Sequence, residues 1–151
     1  MTHLKVGDDA PYFEGTDQNG QKISIDDFPG QKIVLYFYPR DNTPGCTAQA
    51  CNLRDNISQL QDRQYVVIGV SADSVKSHKK FQDKFNLPFP LIADTDKKII
   101  EAYGVWGPKK FMGRTFDGIH RITFLIDESR KIEKIIDSVK TKNHTAQILA
   151  E

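Results

Sequence analysis

The chain of 151 residues is poor in cysteine, in unbalanced charge and in long apolar runs. Its two cysteines are too few for a secreted disulfide scaffold. With 21 basic and 20 acidic residues the formal net charge is +1, which gives no electrostatic basis for a nucleic-acid or membrane partner. No run is long enough to span a bilayer, and the first residues lack the apolar core of a signal peptide. A reducing cytoplasm is therefore the expected compartment.

Strand-like and helix-like patterns alternate along the chain, which predicts an α/β fold. Buried strands are predicted at 33–38, 65–70, 121–126 and 132–139, with a shorter one at 89–93. Helices are predicted at 46–60, after a cap at Ser71, Asp73 or Ser74, after a cap within 94–96, and from about residue 143. The simplest arrangement is a thioredoxin-like sandwich or another open α/β fold, with helices flanking a central mixed sheet in one domain, 1–151.

Two further segments complete this prediction. Residues 15–25 contain the turn signal Asn19–Gly20 and indicate an N-terminal hairpin. The stretch 104–118 has no clear periodicity and is predicted to be a surface loop. The histidines are interpreted as surface or loop residues, with His120 as the only neighbour of a functional site.

The segment from Pro39 to Cys46 follows the first buried strand and opens the first helix. A thiol in the first turn of a helix lies near unpaired backbone N–H groups and the positive end of the helix dipole, and both favour the thiolate. An ordinary thiol, with a pKa of about 8.5, is only about 3% thiolate near pH 7. Cys46 is therefore a candidate nucleophile, and the alternative is a small buried residue at a helix start.

The second thiol, Cys51, lies on the same predicted helix. On a regular helix this spacing separates the two Cα atoms by roughly 8.7 Å, whereas a disulfide usually needs about 4.4 to 6.8 Å. Either the two cysteines are unrelated structural residues, or the first helical turns must melt when they join. A zinc site fits poorly because no histidine lies nearby in sequence. The spacing also differs from the thioredoxin-type disulfide motif.

The chain resembles the peroxiredoxins, most closely the Q-type branch that includes the bacterioferritin comigratory proteins. The resemblance covers nearly the whole chain, and its most specific part is the proline, threonine and cysteine pattern at 43–47 followed by Cys51. It is carried further by Gly7, Ala10, Pro11, Phe37, Tyr38, Pro39, Ser71, Asp73, Ser77, His78, Phe81, Asp94, Tyr103, Gly104, Val105, Trp106, Gly118, Ile119 and Arg121, and by the stretches 87–91 and 123–127. The resemblance implies a thioredoxin-like fold and a thiol peroxidase in which Cys46 is the peroxidatic residue.

The resemblance also assigns roles to residues around Cys46. It implies that Arg121 lies beside Cys46 and holds the peroxide oxygens, that Thr43 offers its hydroxyl to the thiolate or peroxide, and that Pro39 shields the pocket from water. On local sequence alone, Arg121 is equally a solvated cation at a strand end, and the other two serve ordinary turn chemistry. Where the Q-type pattern usually has glutamate, this chain has Gln49, which removes an anion.

The expected reaction is the reduction of hydrogen peroxide and organic hydroperoxides. In this hypothesis Cys46 becomes a sulfenic acid, Cys51 resolves it as an intramolecular disulfide, and thioredoxin or a glutaredoxin-like protein restores both thiols. No cofactor or metal is required, and a monomer is expected. Three alternatives stay open, namely a redox sensor that passes its disulfide to a partner, a chaperone-like holdase, and a thiol:disulfide reductase.

Overall fold

A five-stranded mixed sheet organises residues 2–150, the part of the chain that the computed structural model describes. The strands in chain order are β1 (Glu14–Thr16), β2 (Lys22–Ser24), β3 (Lys32–Phe37), β4 (Tyr65–Ser71), β5 (Leu91–Ala93), β6 (Trp106–Phe111), β7 (Arg114–Ile119), β8 (Ile122–Ile126) and β9 (Ile132–Ile136). The helices are α1 (Pro44–Asp55), α2 (Ile57–Asp62), α3 (Val75–Phe85), α4 (Lys98–Ala102) and α5 (His144–Leu149), with 3-10 turns at Ile25–Asp27 and Thr141–Asn143.

The central sheet has the strand order β5-β4-β3-β8-β9. β3, β4 and β5 run parallel, whereas β8 pairs antiparallel with both β3 and β9. The predicted mixed α/β sheet and the N-terminal hairpin, formed by β1 and β2, are therefore confirmed. No helix within residues 2–150 has the length and apolar character needed to cross a bilayer.

β3 lies at the centre of the sheet and is buried on both faces, as its uninterrupted apolar run predicts. One core cluster joins the sheet to the N-terminal hairpin and α4, through residues such as Phe13 and Ile100. The other joins it to α1, α3 and α5, through residues such as Leu53, Phe81 and Ile148. Because α1 packs against β3 directly, its first turn is fixed near the carboxyl end of that strand.

Side chains at two predicted caps begin the helices that follow β4 and β5. Ser74 caps α3, since its hydroxyl accepts a hydrogen bond of 3.1 Å from the Ser77 amide. Asp94 accepts bonds from the amides of Ile99 and Ile100 at the start of α4, at 3.3 and 2.8 Å. Burial raises the pKa of the Asp94 carboxyl. Both caps were among the residues that the sequence indicated.

The prediction of a surface loop at 104–118 is wrong, because this stretch forms the antiparallel hairpin of β6 and β7. Its turn contains Met112 and Gly113, both at positive φ, +52° and +77°. The strands escape prediction because most of their side chains are exposed on both faces, so no alternation of apolar and polar residues appears.

Three predicted boundaries also differ from the structure. The helix predicted over 46–60 is interrupted at Asn56, where α1 ends and α2 begins. The last predicted strand stops at Ile136, and β8 begins one residue late, at Ile122. The prediction that the histidines lie in loops or at the surface is wrong for His78 and His144, which are both 0% exposed.

Candidate active site

Cys46 lies in the first turn of α1 and is buried, with 2% of its surface exposed. Thr43 is the N-cap residue in an extended conformation, and its carbonyl accepts the Thr47 amide at 2.8 Å. Pro44 begins the helix, a position where its missing N–H costs nothing. By helix geometry the amides of Gly45 and Cys46 have no acceptor within the helix. The sulfur therefore lies at the end of α1 that favours an anion.

Arg121 contacts Cys46 directly, as the resemblance implies. Its Nη2 donates to the Cys46 Sγ at 3.3 Å, and its Nη1 donates to the Gln49 Oε1 at 2.7 Å. Strand pairing creates this contact between residues distant in sequence. Ile122 lies opposite Phe37 in the β3–β8 pair, so Arg121 enters beside the end of β3, where the loop to α1 begins.

No carboxylate within residues 2–150 competes with the thiol at ion-pair distance from Arg121, although Asp137 lines the cavity beside it. The other hydrogen-bond partner of the Arg121 side chain, Gln49, is a neutral amide that is 0% exposed. Of the two side chains that Arg121 contacts, only Cys46 can become negative. A charge-assisted hydrogen bond in a buried setting stabilises a thiolate more than it stabilises a thiol.

Gly45 allows the guanidinium to approach the first turn of α1. A Cβ atom at this position would lie 3.3 Å from the Arg121 Nη2, closer than an ordinary van der Waals contact. A side chain at this position would therefore require the guanidinium to shift by a few tenths of an ångström. Gly45 belongs to the sequence pattern at 43–47, but the pattern alone does not show that Arg121 lies against this glycine.

Thr43 and Pro39 flank the thiol without contacting it through a hydrogen bond. The Thr43 hydroxyl donates to the Arg40 carbonyl at 2.9 Å, so its proton is directed to the backbone rather than to the sulfur. Its oxygen keeps lone pairs that can accept a hydrogen bond from a hydroperoxide. Pro39 follows β3 directly and is half-buried.

Cys51 lies farther along α1 and is half-buried, and both cysteines are free thiols. The neighbouring Asn52 ties this part of the helix to the C-terminal segment. Its Nδ2 donates to the Lys142 carbonyl at 2.9 Å, and its Oδ1 accepts the Thr145 amide at 2.8 Å. The two thiols therefore lie on one continuous helix, which has to open before they can bond.

Two side chains near the site were not singled out from the sequence because their partners are distant in the chain. Burial lowers the pKa of Lys109, and the positive charge of Arg121 lowers it further. The Lys109 Nζ donates to the Ile119 carbonyl at 2.8 Å.

Tyr36 is buried beneath the site, and burial, more than the nearby Cys46, raises its pKa well above the usual value. The Tyr36 hydroxyl thus stays protonated over the physiological range.

His144 forms a second buried polar group on this side of the sheet. Its Nδ1 lies 2.9 Å from the Gln147 Oε1, and its Nε2 lies 2.8 Å from the Thr123 hydroxyl. The Gln147 Oε1 also accepts the Lys140 amide, so it is an acceptor and the Nδ1 carries the proton. Burial lowers the pKa of His144, which favours the neutral ring.

A solvent-filled cavity of about 490 Å³ opens beside Arg121. It is lined by Lys109, His120, Arg121, Ile122, Asp137, Ser138 and Val139. The His120 ring bonds to the Pro108 carbonyl at 3.0 Å, which holds it at this wall. The cavity gives small molecules a route to the guanidinium.

Metal binding gains no support at the thiol. Within residues 2–150, the group of potential metal ligands that lie close together is Asp41, Asp73 and His78, and it contains neither cysteine. The side chains of this group bond to one another, to hydroxyls and to the backbone. The chemistry available at α1 is therefore that of a thiol beside an arginine.

Comparisons with known proteins agree with this geometry. The model of the AhpC/TSA family matches residues 6–135. The chain is 48% identical over 149 residues to Peroxiredoxin Bcp of Escherichia coli strain K12, covering 99% of this chain and 96% of that protein. It is 44% identical over 146 residues to Peroxiredoxin Bcp of Bacillus subtilis, covering 97% and 93%.

Solved structures of the same group share the fold. A PrxQ mutant from Xylella fastidiosa superimposes with a TM-score of 0.91 at 32% identity, covering 97% of this chain and 94% of that one. Peroxidoxin BcpB from Mycobacterium tuberculosis gives a TM-score of 0.86 at 31% identity, covering 98% and 96%. The sandwich of sheet and helices is thus the thioredoxin fold of the peroxiredoxins, as predicted. The chain belongs to the AhpC/TSA family, in its Bcp/PrxQ branch of thiol peroxidases.

Proposed function

We propose that Cys46 is the peroxidatic cysteine and that Cys51 resolves it within the same chain. The observation that carries the proposal is the 3.3 Å contact from the Arg121 Nη2 to the Cys46 Sγ, at the start of a helix. This arrangement stabilises a nucleophilic thiolate in a largely buried position. Hydrogen peroxide and organic hydroperoxides are the substrates. A Xanthomonas campestris bacterioferritin comigratory protein that is 29% identical has been described for alkyl peroxide reduction.

In the first step the Cys46 thiolate attacks the terminal peroxide oxygen. An S–O bond forms as the O–O bond breaks, so the sulfur is oxidised to a sulfenic acid that keeps the terminal oxygen and its hydrogen. The other oxygen leaves as hydroxide or alkoxide and takes up a proton from solvent, which balances the proton that the thiol released, to give water or an alcohol. Arg121 is close enough to interact with the charge that develops on the oxygens. The Thr43 oxygen accepts a hydrogen bond from the hydroperoxide and orients the substrate, and Pro39 limits the access of water.

In the second step the first turns of α1 open and the Cys51 sulfur attacks the Cys46 sulfenic acid. A disulfide forms and water leaves. A dithiol protein, thioredoxin or a glutaredoxin-like protein, then reduces the disulfide by exchange and itself becomes oxidised. Neither step requires a cofactor, and because both thiols belong to one chain, the cycle fits a monomeric single-domain protein in a reducing cytoplasm.

Peroxide consumption by wild type, Cys46→Ser and Cys51→Ser tests the proposal. Reduced wild-type protein should consume one equivalent of peroxide alone and many in the presence of thioredoxin. Cys46→Ser should consume none. Cys51→Ser should consume one equivalent and accumulate a sulfenic acid that dimedone traps.

Mass spectrometry identifies the product of the resolving step. Wild type should lose two hydrogens and yield a peptide that links Cys46 to Cys51. Full activity of Cys46→Ser would overturn the assignment of the nucleophile. A disulfide between two chains, or a persistent sulfenic acid in wild type, would overturn intramolecular resolution.

A further inference from the structure

The loop between β3 and α1 is anchored by a buried carboxylate. Asp41 is 8% exposed, and its side chain points toward α3. Its Oδ1 accepts the Tyr38 hydroxyl at 2.6 Å, and its Oδ2 accepts the Ser77 hydroxyl at 2.7 Å. Burying a carboxylate costs free energy unless hydrogen-bond donors from the protein replace the lost water. Here the hydroxyls of Tyr38, next to β3, and of Ser77, on α3, are those donors.

His78 adds a third hydrogen-bond partner to the Asp41 carboxylate. Its Nδ1 lies 2.7 Å from the Asp41 Oδ2, and its Nε2 lies 3.0 Å from the Ile92 carbonyl. A carbonyl only accepts, so the Nε2 carries a proton. The ring, which is 0% exposed, is therefore held at both nitrogens, between Asp41 and β5.

The backbone of the loop is held as firmly as the Asp41 side chain. The Asp41 amide donates to the Asp73 Oδ2 at 2.9 Å, and the Ser71 hydroxyl donates to the same oxygen at 2.6 Å. Asn42, the next residue, has a left-handed conformation with φ of +59°. A strained residue of this kind persists only where its surroundings fix it. Asp41 thus connects the loop to β3, to the end of β4, to α3 and, through His78, to β5.

This anchor lies directly before the residues that meet the substrate. Thr43 follows Asp41 by two positions, and its hydroxyl bonds to the Arg40 carbonyl within the same loop. The direction of the Thr43 oxygen and the start of α1 at Pro44 are therefore set by how Asp41 is held. An error of about 1 Å in the placement of reacting groups can slow a reaction by about a hundredfold.

We propose that Asp41 and His78 are positioning residues for the peroxidatic step: their buried hydrogen-bonded pair fixes Thr43 and the start of α1 relative to the peroxide. The proposal rests on the function assigned to Cys46 above. The anchor lies before α1 and outside the helix, so it stays in place when the first turns open for disulfide formation. Its loss should therefore slow sulfenic acid formation and leave the resolving step unchanged.

Two substitutions of His78 separate a positioning role from a purely structural one. In His78→Asn, the amide nitrogen occupies the place of the Nδ1 and keeps a donor toward Asp41. In His78→Gln, the amide nitrogen reaches the place of the Nε2 and keeps the donor toward Ile92, while the Asp41 donor is lost. Lys79→Ala is the matched control, because Lys79 is an exposed residue of α3 whose side chain bonds to Gln82 and Asp83 and to no partner of Asp41.

The rate constants for sulfenic acid formation and for disulfide formation are measured separately, by rapid mixing of each reduced variant with peroxide followed by acid quench and mass spectrometry. His78→Gln should slow the first step about tenfold or more, His78→Asn should recover most of that loss, and Lys79→Ala should leave both steps unchanged. If His78→Gln unfolds, Ser77→Ala removes one donor to the same carboxylate and should slow the first step alone.

Equal rates for His78→Gln and wild type would overturn the positioning role, as would equal losses for His78→Gln and His78→Asn. In the Ser77→Ala variant, an unchanged first step would do the same. A wild-type protein that forms no sulfenic acid at all would instead refute the function of Cys46, so the two failures are distinguishable.

Discussion

The two ends of α1 carry the two thiols and are built differently. At its start, Cys46 is 2% exposed and contacts the guanidinium of Arg121. Farther along, Cys51 is half-buried, and its neighbour Asn52 bonds to the C-terminal segment. The start of the helix thus places a positive charge next to a sulfur, whereas the part near Asn52 is bonded to the C-terminal segment. Reactivity and anchorage are separated along a single helix, so each can be altered without the other.

Removing the charge of Arg121 should have the largest effect on the reactive end. Arg121→Met keeps an unbranched side chain of similar reach and loses both the thiolate contact and the oxyanion donor. We expect the second-order rate constant with hydrogen peroxide to fall by about 10² to 10³, the usual loss for a donor to a developing oxyanion. Rapid-mixing measurements on the reduced protein give this constant.

Arg63→Met is a matched control, because Arg63 is exposed beyond α2. It should react like wild type. If Arg121→Met reacted as fast as Arg63→Met, the positive charge at the start of α1 would have no role in the chemistry.

Asn52→Ala tests the anchored end and should affect stability rather than reactivity. The substitution removes the Asn52 side-chain bonds to Lys142 and Thr145, leaving a carbonyl and an amide to find other partners. We expect the free energy of unfolding to fall by about 1 to 3 kcal/mol. Urea denaturation measures this loss. An equal loss in the rate of sulfenic acid formation would show that the two ends are not independent.

Gln49→Glu introduces a competitor for Arg121 at the reactive end. A carboxylate in place of the Gln49 Oε1, now 2.7 Å from the Arg121 Nη1, would neutralise part of the charge that faces Cys46. We expect a decrease in the peroxide rate constant of about tenfold at most, less than for Arg121→Ala. A greater loss for Gln49→Glu than for Arg121→Ala, measured side by side, would contradict this ordering.

His144 should give the anchored end a small dependence of stability on pH. Burial lowers the pKa of His144 in the folded protein, so the unfolded chain takes up this proton at a higher pH. The neutral ring therefore makes its full contribution to the free energy of unfolding above about pH 6.5. As the pH falls below this value, the contribution decreases by no more than about 1.4 kcal/mol per pH unit.

His144→Asn keeps a donor toward Gln147 but does not titrate in this range. Urea denaturation at several pH values gives the free energy of unfolding at each pH. Below about pH 6.5 this free energy should change less steeply with pH for the variant than for wild type. Identical slopes would mean that His144 makes no contribution to the pH dependence.

The sequence predicts those parts of this comparison that depend on local pattern. The apolar run at β3 and the helical spacing after Pro44 place Cys46 at a helix start, and the family pattern adds Arg121 and Thr43. The pairing of β8 with β3, which brings Arg121 to the thiol, depends on register across the sheet. Local periodicity carries no information about that register.

The buried polar groups could not be predicted for a related reason. From the sequence, His78 is interpreted as a surface or loop residue, and Asp41 lies in the segment between the first buried strand and the first helix. Their pairing requires β4, α3 and the loop to be folded together. The hairpin of β6 and β7 was missed because exposed strands lack the alternation that a buried face imposes.

The most direct test of the account is the rate at which peroxide oxidises the Cys46 sulfur in the reduced protein. Cys51→Ser, which stops the cycle at the sulfenic acid, is mixed rapidly with hydrogen peroxide and dimedone, and mass spectrometry follows the adduct on Cys46. We expect this adduct to form about 10² to 10³ times more slowly when Arg121→Met is combined with Cys51→Ser. Equal rates with and without the guanidinium, or no adduct on Cys46, would contradict the account.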